Sequence, residues 1–500
     1  MTTEQRVAST PIQGHSFLAQ PLCFHFHLDL CRSSLTFQKM ASVLQNKLVT
    51  LCLLALLCFV STAESTRKGA SVPKPCRPNT ANIKDFGAVG DGKTSNTAAF
   101  KKAVAELAKK GGGMLVIPPG KWLTGPFNLT SHFTLFLDKG AVILASTDMK
   151  DYPLIAPLKS YGRGRDEPGP RYSNFIFGSN LTDVVITGNN GTIDGQGQMW
   201  WDKYHADQLK YTRGYLFELM YSDNILVSNV TFVNSPSWNL HPVYCKNVIF
   251  SGVTVLAPTD SPNTDGIDPD SCTEVRIEDC YVVSGDDCIA IKSGWDEYGI
   301  AVAMPSQNIS VRRLTCISPT SAVIALGSEM SGGIQNIRIE DVTAINSESG
   351  IRIKSGVGRG GFVKNIFLRD MKLYTIKWLF WMTSNYGQHP DDKFDPKALP
   401  EVTGINYSNV YAENATMVAR LDGLQNDHYK GICISNVTAK MIPSDLPLWN
   451  CTNVEGVSNH VTPKPCDLLR DQGPSGKPCA FPTATLAIDK VPITQCPFKG

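Results

Sequence analysis

Short runs in which apolar residues alternate with polar ones recur along most of the chain. NILVSNVTF starts at Asn224, NVIFSGVTV at Asn247, EVRIEDCYV at Glu274 and NISVRRLTC at Asn308. NIRIEDVTA at Asn336, NIFLRDMKL at Asn365, GINYSNVYA at Gly404 and GICISNVTA at Gly431 continue the series. Successive starts are 23, 27, 34, 28, 29, 39 and 27 residues apart. Each copy reads as a short strand, a polar bend and a second short strand. A leucine-rich horseshoe would add a helical half-repeat, and an antiparallel sandwich lacks such same-sense repetition. The predicted fold class is therefore all-β: a right-handed parallel β-helix, a solenoid in which every coil buries its apolar rungs on the next. Two stretches that break the period, Ile155–Tyr172 and Tyr386–Pro400, are expected to bulge as loops and to wall a groove. Upstream, Phe100, Val104, Leu107 and Ala108 fall at helical spacing and predict a helix over roughly 96–109. Gly111 to Gly113 stop it before the strand MLVIP, and it is expected to cap the N-terminal end of the solenoid.

A second ladder carries the chemistry. Aligned by alternation, Ile289-Ala290-Ile291-Lys292 lies over Ile324-Ala325-Leu326-Gly327, which lies over Ile351-Arg352-Ile353-Lys354, and Ile267-Asp268 begins the same pattern. Stacking these rungs brings three carboxylates that lie within 23 residues, Asp265, Asp286 and Asp287, to one patch with Arg352 and Lys354. An isolated Asp-Gly pair is most simply a turn, but three stacked carboxylates beside two cations suggest a site. Crowded carboxylates raise one another's proton affinity, so one stays protonated while another is charged. Arg352 and Lys354 alternate with Ile351 and Ile353 and so share a strand face. They suit a substrate carboxylate, or a salt bridge to the aspartates, and the two roles are compatible. Lys292, His241 and Tyr386 are further groove candidates. Asp265, Asp268 and Asp270 also resemble a calcium site, which would go with β-elimination; the remaining pattern fits hydrolysis better and implies neither metal nor cofactor.

Composition narrows the setting. Charged residues make up 18% and the formal net charge is +2, which gives no basic field for nucleic acid. Leu48–Val60 is a 13-residue apolar run after Lys47 and before Ser61-Thr62-Ala63, a secretory signal too short for a comfortable bilayer span. Met40 opens a normal signal, so residues 1–39 read as an N-terminal extension, 40–63 as the signal and 64–80 as a linker. Residues 81–451 form the solenoid and 452–500 a Cys/Pro-rich tail. Of 15 cysteines, four precede the cleavage point and eleven follow it, an odd number that predicts one unpaired thiol. Cys451, Cys466, Cys479 and Cys496 are expected to staple the tail, and Cys288 and Cys316 to pair across consecutive coils. Nine Asn-x-Ser/Thr sequons fit a secreted glycoprotein.

NTDG at Asn263–Gly266, GDDC at Gly285–Cys288 and RIK at Arg352–Lys354, in this order on a repeating β chain, resemble glycoside hydrolase family 28, the polygalacturonases. GSEMSGG at Gly327–Gly333 resembles the plant, exo-like branch. The similarity spans roughly 81–451. It implies a secreted, monomeric cell-wall enzyme that cleaves α-1,4-galacturonosyl linkages of pectin with inversion, with Asp286 as acid and Asp265 and Asp287 holding the water. Exchanging the roles of Asp286 and Asp287 suits the sequence equally. The family's Gly-His-Gly is replaced by Ser321-Ala322-Val323. Glu329 is either a substitute for that histidine or a surface turn residue. The alternative function is a pectin-binding β-helix impaired in turnover, because Ala322 can neither donate nor accept a proton.

Overall fold

The computed structural model describes residues 76–494. The signal segment, the extension before it, most of the linker and Cys496 lie outside the described residues. Strands stack coil upon coil, almost all in parallel. One coil contributes Phe217–Met220, Asp223–Ser228 and Thr231–Val233, and the next contributes Leu240–Val243, Lys246–Ser251 and Thr254–Leu256. This is the right-handed parallel β-helix predicted above.

The register follows the sequence repeat residue for residue. Ile225 pairs with Val248, Val248 with Val275, Val275 with Ile309, and Ile309 with Ile337. Ile337 then pairs with Ile366, Ile366 with Ile405, and Ile405 with Ile432. These side chains are buried and run through one continuous apolar core. The residue that opens each repeat turns a corner with positive φ: Asn247 (53°), Glu274 (60°), Asn308 (56°), Asn336 (55°), Asn365 (57°), Gly404 (68°) and Gly431 (64°). Asparagine and glycine recur there because they enter the left-handed region at least cost. The asparagines also bond along the solenoid axis, with Asn336 donating to Asn308 and Asn365 to Asn336, both at 3.3 Å.

Helix α1 (Thr97–Lys109) packs Phe100, Ala103, Val104 and Leu107 into the core beside the first strands. Parallel pairing runs past Cys451, through Val454–Thr462 to Leu469–Asp471, so the tail predicted from composition begins too early. Past that point, Leu486, Ile488 and Val491 pack on Val185, Leu226 and Ile249 outside the solenoid core. Disulfides join Cys288–Cys316, Cys451–Cys466 and Cys433–Cys479, the last tying the tail to a solenoid strand. Among the described residues three buried thiols, Cys245, Cys272 and Cys280, are unpaired, where the odd count predicts one left free or linked between chains. They serve as small apolar residues in the core.

The corner geometry is testable. Asn336→Val forces a β-branched residue to positive φ and is expected to cost about 1–3 kcal/mol. Asn336→Gly keeps the turn and loses only amide bonds, about 1 kcal/mol or less. Denaturant titration of both variants reads the order, and an equal cost would show that the corner conformation is not the source.

Candidate active site

On one face of the solenoid the rungs align as the second ladder predicts. Ile267 bridges to Leu240 and Ile289, Ile289 pairs with Ile324, and Ile324 with Ile351. The inward residues enter the core, so the alternate positions and the turns before each strand face out. Consecutive turns thereby bring Asp265, Asp286 and Asp287 together, with an oxygen of each within 4.8 Å of the others. They floor a cavity of about 560 Å³ that Lys292, Lys354, Glu329, Trp238, Tyr386 and Arg165 also line. Cys288, next in the chain after Asp287, is buried in the core and joined to Cys316 by a disulfide.

The three carboxylates occupy different environments. Asp287 is buried, and its Oδ2 accepts from Lys354 Nζ at 2.5 Å. Its Oδ1 accepts from the Ser321 hydroxyl at 2.5 Å and the Ala322 amide at 3.0 Å. Burial opposes ionisation there, but Lys354, Lys292 and Ser321 outweigh it and hold the carboxyl below its usual range. Asp265 is also buried, with Lys292 3.5 Å from Oδ2 and, among the described residues, no N–H or hydroxyl donor on Oδ1. Burial, then the neighbouring Asp286 charge, push it up to about 7. Asp286 is half-buried and faces the cavity. Its Oδ2 accepts from Asn263 at 3.4 Å, and Asn263 in turn accepts from the wholly buried Arg213 at 2.7 Å.

The remaining candidates separate by depth. Lys292 is buried among Asp265, Asp268 and Glu329, 4.2 Å above the Trp238 ring. Burial works against its charge, but these carboxylates more than compensate and raise its proton affinity. Arg352 is half-buried, stacked on Trp381 with its guanidinium 3.4 Å from the ring centroid and 3.7 Å from Glu348. Tyr386 lines the cavity, 5.7 Å from the same guanidinium.

Two placements correct the sequence reading. His241 does not line the groove: it is wholly buried beneath Trp238, paired with Glu218 at 2.9 Å and Asp270 at 3.3 Å. Glu329 is no surface turn residue. It is buried, bonded to Arg165 at 2.7 Å and Lys292 at 3.3 Å, and these cations keep it ionised despite burial, which does not suit a histidine's proton-handling role. Asp265, Asp268 and Asp270 form no cage either, since Asp270 turns to Tyr161, Ser271 and His241. Calcium prefers six to eight oxygens, and ammonium groups already flank Asp265 and Asp287.

Both predicted bulges border the cavity. Residues 156–170 spring from an antiparallel pairing of Leu154–Ile155 with Arg171–Tyr172. They contribute Arg165, Asp166 and Glu167, while the second bulge contributes Tyr386 and Gln388. Arg165, Asp166, Arg213, Trp238 and Gln388 have no periodic signature in the sequence. Only the irregular stretches that carry most of them marked their neighbourhood.

The family model described as glycosyl hydrolases family 28 matches residues 117–462. A Vitis vinifera protein described as a probable polygalacturonase is 61% identical over 85% of this chain and 87% of its own length. An exopolygalacturonase of Zea mays is 30% identical over 62% of this chain and 70% of its own. Among solved structures, a hyperthermoactive exopolygalacturonase from Thermotoga maritima is 31% identical with a TM-score of 0.67, covering 74% of this chain and 89% of that one.

The raised affinity of Asp265 has a consequence for stability. Its ordinary value is 3.8 and its folded value about 7, so between these the native state binds more protons than the unfolded chain. Native stability therefore falls as pH rises from about 4 to 7 on this group's account. Asp265→Asn removes the titration and is expected to be more stable than the parent at pH 7.5, by about 1–3 kcal/mol. The difference should shrink at pH 4. Thermal unfolding at the two pH values reads it, and a pH-independent difference would refute the assignment.

Proposed function

The chain belongs to glycosyl hydrolase family 28, and from that premise we propose that it is a secreted polygalacturonase that hydrolyses α-1,4-galacturonosyl linkages of pectin. The observation that carries this reading is the convergence of Asp265, Asp286 and Asp287 within 4.8 Å on the floor of a cavity with lysines beside them. Glycoside hydrolysis needs one carboxylic acid and one carboxylate. Asp287, held ionised by Lys354 and Ser321, is not a proton donor. Asp286 is the one of the three that is half-exposed to the cavity, and it donates to the leaving oxygen. Asp265 and Asp287 hold the attacking water. Asp265 accepts the water's proton as Asp286 gives its own to the leaving oxygen, so proton uptake and release balance over each turnover.

The close approach of these carboxylates is shorter than the spacing usual for inverting enzymes and nearer to that of retaining ones. A covalent route, however, needs a free carboxylate oxygen as nucleophile. Asp287 has both oxygens engaged, and Asp265 is the readily protonated member. These constraints favour direct attack by water with inversion. In place of the family histidine, the Ser321 hydroxyl and the Ala322 amide bind Asp287, so this part of the site is occupied and not vacant. Arg352, Lys354 and Lys292 supply the positive charge that recognises the uronate carboxylates, with Tyr386 beside them. Secretion to the cell wall is supported by the signal at Leu48–Val60 and by disulfides, which belong to oxidising compartments.

The purified protein is expected to release reducing ends from polygalacturonate. Asp286→Asn should lower kcat by roughly 10²–10⁴. Arg352→Ala should raise KM by about tenfold with a smaller effect on kcat. Asp265 must be ionised to accept the water's proton, so activity is expected to fall as pH drops below about 7. Proton NMR of the first product should show the β-anomer, and an α-anomer first would mean retention. Oligogalacturonide binding that Arg352→Ala weakens, with no reducing ends from any pectic polymer, would overturn hydrolysis in favour of binding alone.

A further inference from the structure

On the catalytic face one outward column runs the length of the solenoid. Register places Glu218 beside His241, then Asp268, Ala290, Ala325, Arg352, Trp381, Arg420 and Asn450 on successive coils. A groove for a long polymer would follow this column in both directions from the carboxylates. Its two halves differ completely. On the N-terminal side Glu218, His241 and Asp268 are 0% exposed, whereas Arg352, Trp381 and Arg420 are half-buried and Asn450 is exposed.

The cover on the N-terminal side is the first bulge. Leu158 and Tyr161 pack into an aromatic cluster with Tyr215, Trp238, Tyr244 and Trp295, outside the solenoid core. Tyr161 donates to Asp270 at 2.6 Å and Ser160 bonds the Tyr244 hydroxyl at 2.6 Å. Arg171 pairs with Glu218 at 2.7 Å through both guanidinium ends. These buried charge-assisted bonds and the aromatic packing make the cover part of the fold and not a loose flap. It is also tied to the second bulge. Arg165 spans from Glu329 at 2.7 Å to Gln388 at 2.8 Å, and Arg163 reaches the Pro390 carbonyl at 3.3 Å.

We propose that this enzyme attacks only the ends of galacturonan chains: residues 156–172, bound down over the N-terminal half of the catalytic face and bridged to residues 386–390, close one end of the groove, and the polymer leaves over Arg352, Trp381 and Arg420. The inference rests on the polygalacturonase reading and adds the mode of attack, a direction and a specificity residue. The closed compartment is short. Lys292 lies 4.2 Å from the Trp238 ring in the blocking wall and 3.5 Å from Asp265 in the catalytic floor, and in the proposal this short span takes one terminal sugar beyond the scissile bond. On the open side a second cavity is lined by Arg352, Trp381, Thr383, Tyr386, Gln388 and Arg420. Arg352 and Arg420 stand two rungs apart, about 9–10 Å, with the Trp381 indole between them. Cation, aromatic plate and cation in line suit successive carboxylated sugars. Arg420 thus meets the sugar one unit beyond the one that Arg352 and Lys354 hold.

Early products from hexagalacturonate, separated by chromatography, test the mode of attack. The full chain is expected to give monogalacturonate and pentagalacturonate alone in the first turnovers. Di-, tri- and tetragalacturonate appearing together from the start would overturn the proposal while leaving the enzyme a polygalacturonase. Absence of any product would instead strike the polygalacturonase reading beneath it. Arg420→Ala tests the exit direction. It should raise KM for hexagalacturonate by about tenfold and leave KM for digalacturonate, which is too short to reach it, unchanged. Equal effects on both substrates, or none on the hexamer, would show that the chain does not leave over this residue.

Discussion

The structure depends on parallel strands remaining in register from coil to coil. A slip of one residue would exchange core and surface along a whole strand. The corners that prevent it are the residues with positive φ at the start of each repeat, where asparagine or glycine turns the chain and asparagine amides bond to the coil before. Because the register holds, rungs repeat at about 4.8 Å, and carboxylates on consecutive turns must approach one another. The site is thus a by-product of the stacking rule that builds the core.

That proximity has an electrostatic cost, and the lysines set how it is met. Lys354 settles on Asp287 and leaves it a stable anion, while Lys292 is shared among Asp265, Asp268 and Glu329. Burial, and then the charge of a neighbouring aspartate, raise the proton affinity of Asp265 and Asp268 well above the ordinary carboxylate range, and one lysine among three acids does not offset this. The unequal division of two cations among adjacent acids separates the fixed anion, Asp287, from the acids of raised proton affinity, Asp265 and Asp268. A third lysine here would ionise the whole cluster, whereas losing Lys354 would leave Asp287 competing for a proton.

Repetition explains what the sequence shows of all this. The alternation pairs Ile289 with Ile324 and Ile324 with Ile351, and the strands stack in that register. The placement of Asp265, Asp286, Asp287, Arg352 and Lys354 follows from that register alone. His241 and Glu329 depart from the sequence expectation for the same physical reason. Each stands on a regular strand or turn that a non-repeating segment covers, and alternation records that a side chain faces outward but not what lies above it. Arg213 escaped notice because its partners, Asp166 and Asn263, are 47 and 50 residues away in unrelated loops. The end of the solenoid was set too early because Cys451 and the prolines beyond it read as a tail, although Val454–Thr462 still pairs in parallel.

The covered column shows how such a scaffold changes its function. Glu218, His241 and Asp268 occupy the same outward position as Arg352, Trp381 and Arg420, so the strand itself gives both sets the same opportunity to meet a ligand. What differs is the insert. Where residues 156–172 lie across the face, Glu218 and His241 are drawn into an internal network with Arg171, Asp270 and Tyr161 and are no longer available to substrate. Where no insert lies, the outward side chains remain half-open. An insertion between two rungs costs little to the solenoid, because loop closure grows slowly with length and the flanking strands still pair. The length of accessible groove is therefore free to vary without disturbing the carboxylates, whose positions belong to the core. Chemistry and reach are encoded in separate parts of the chain, the first in the repeat and the second in its interruptions.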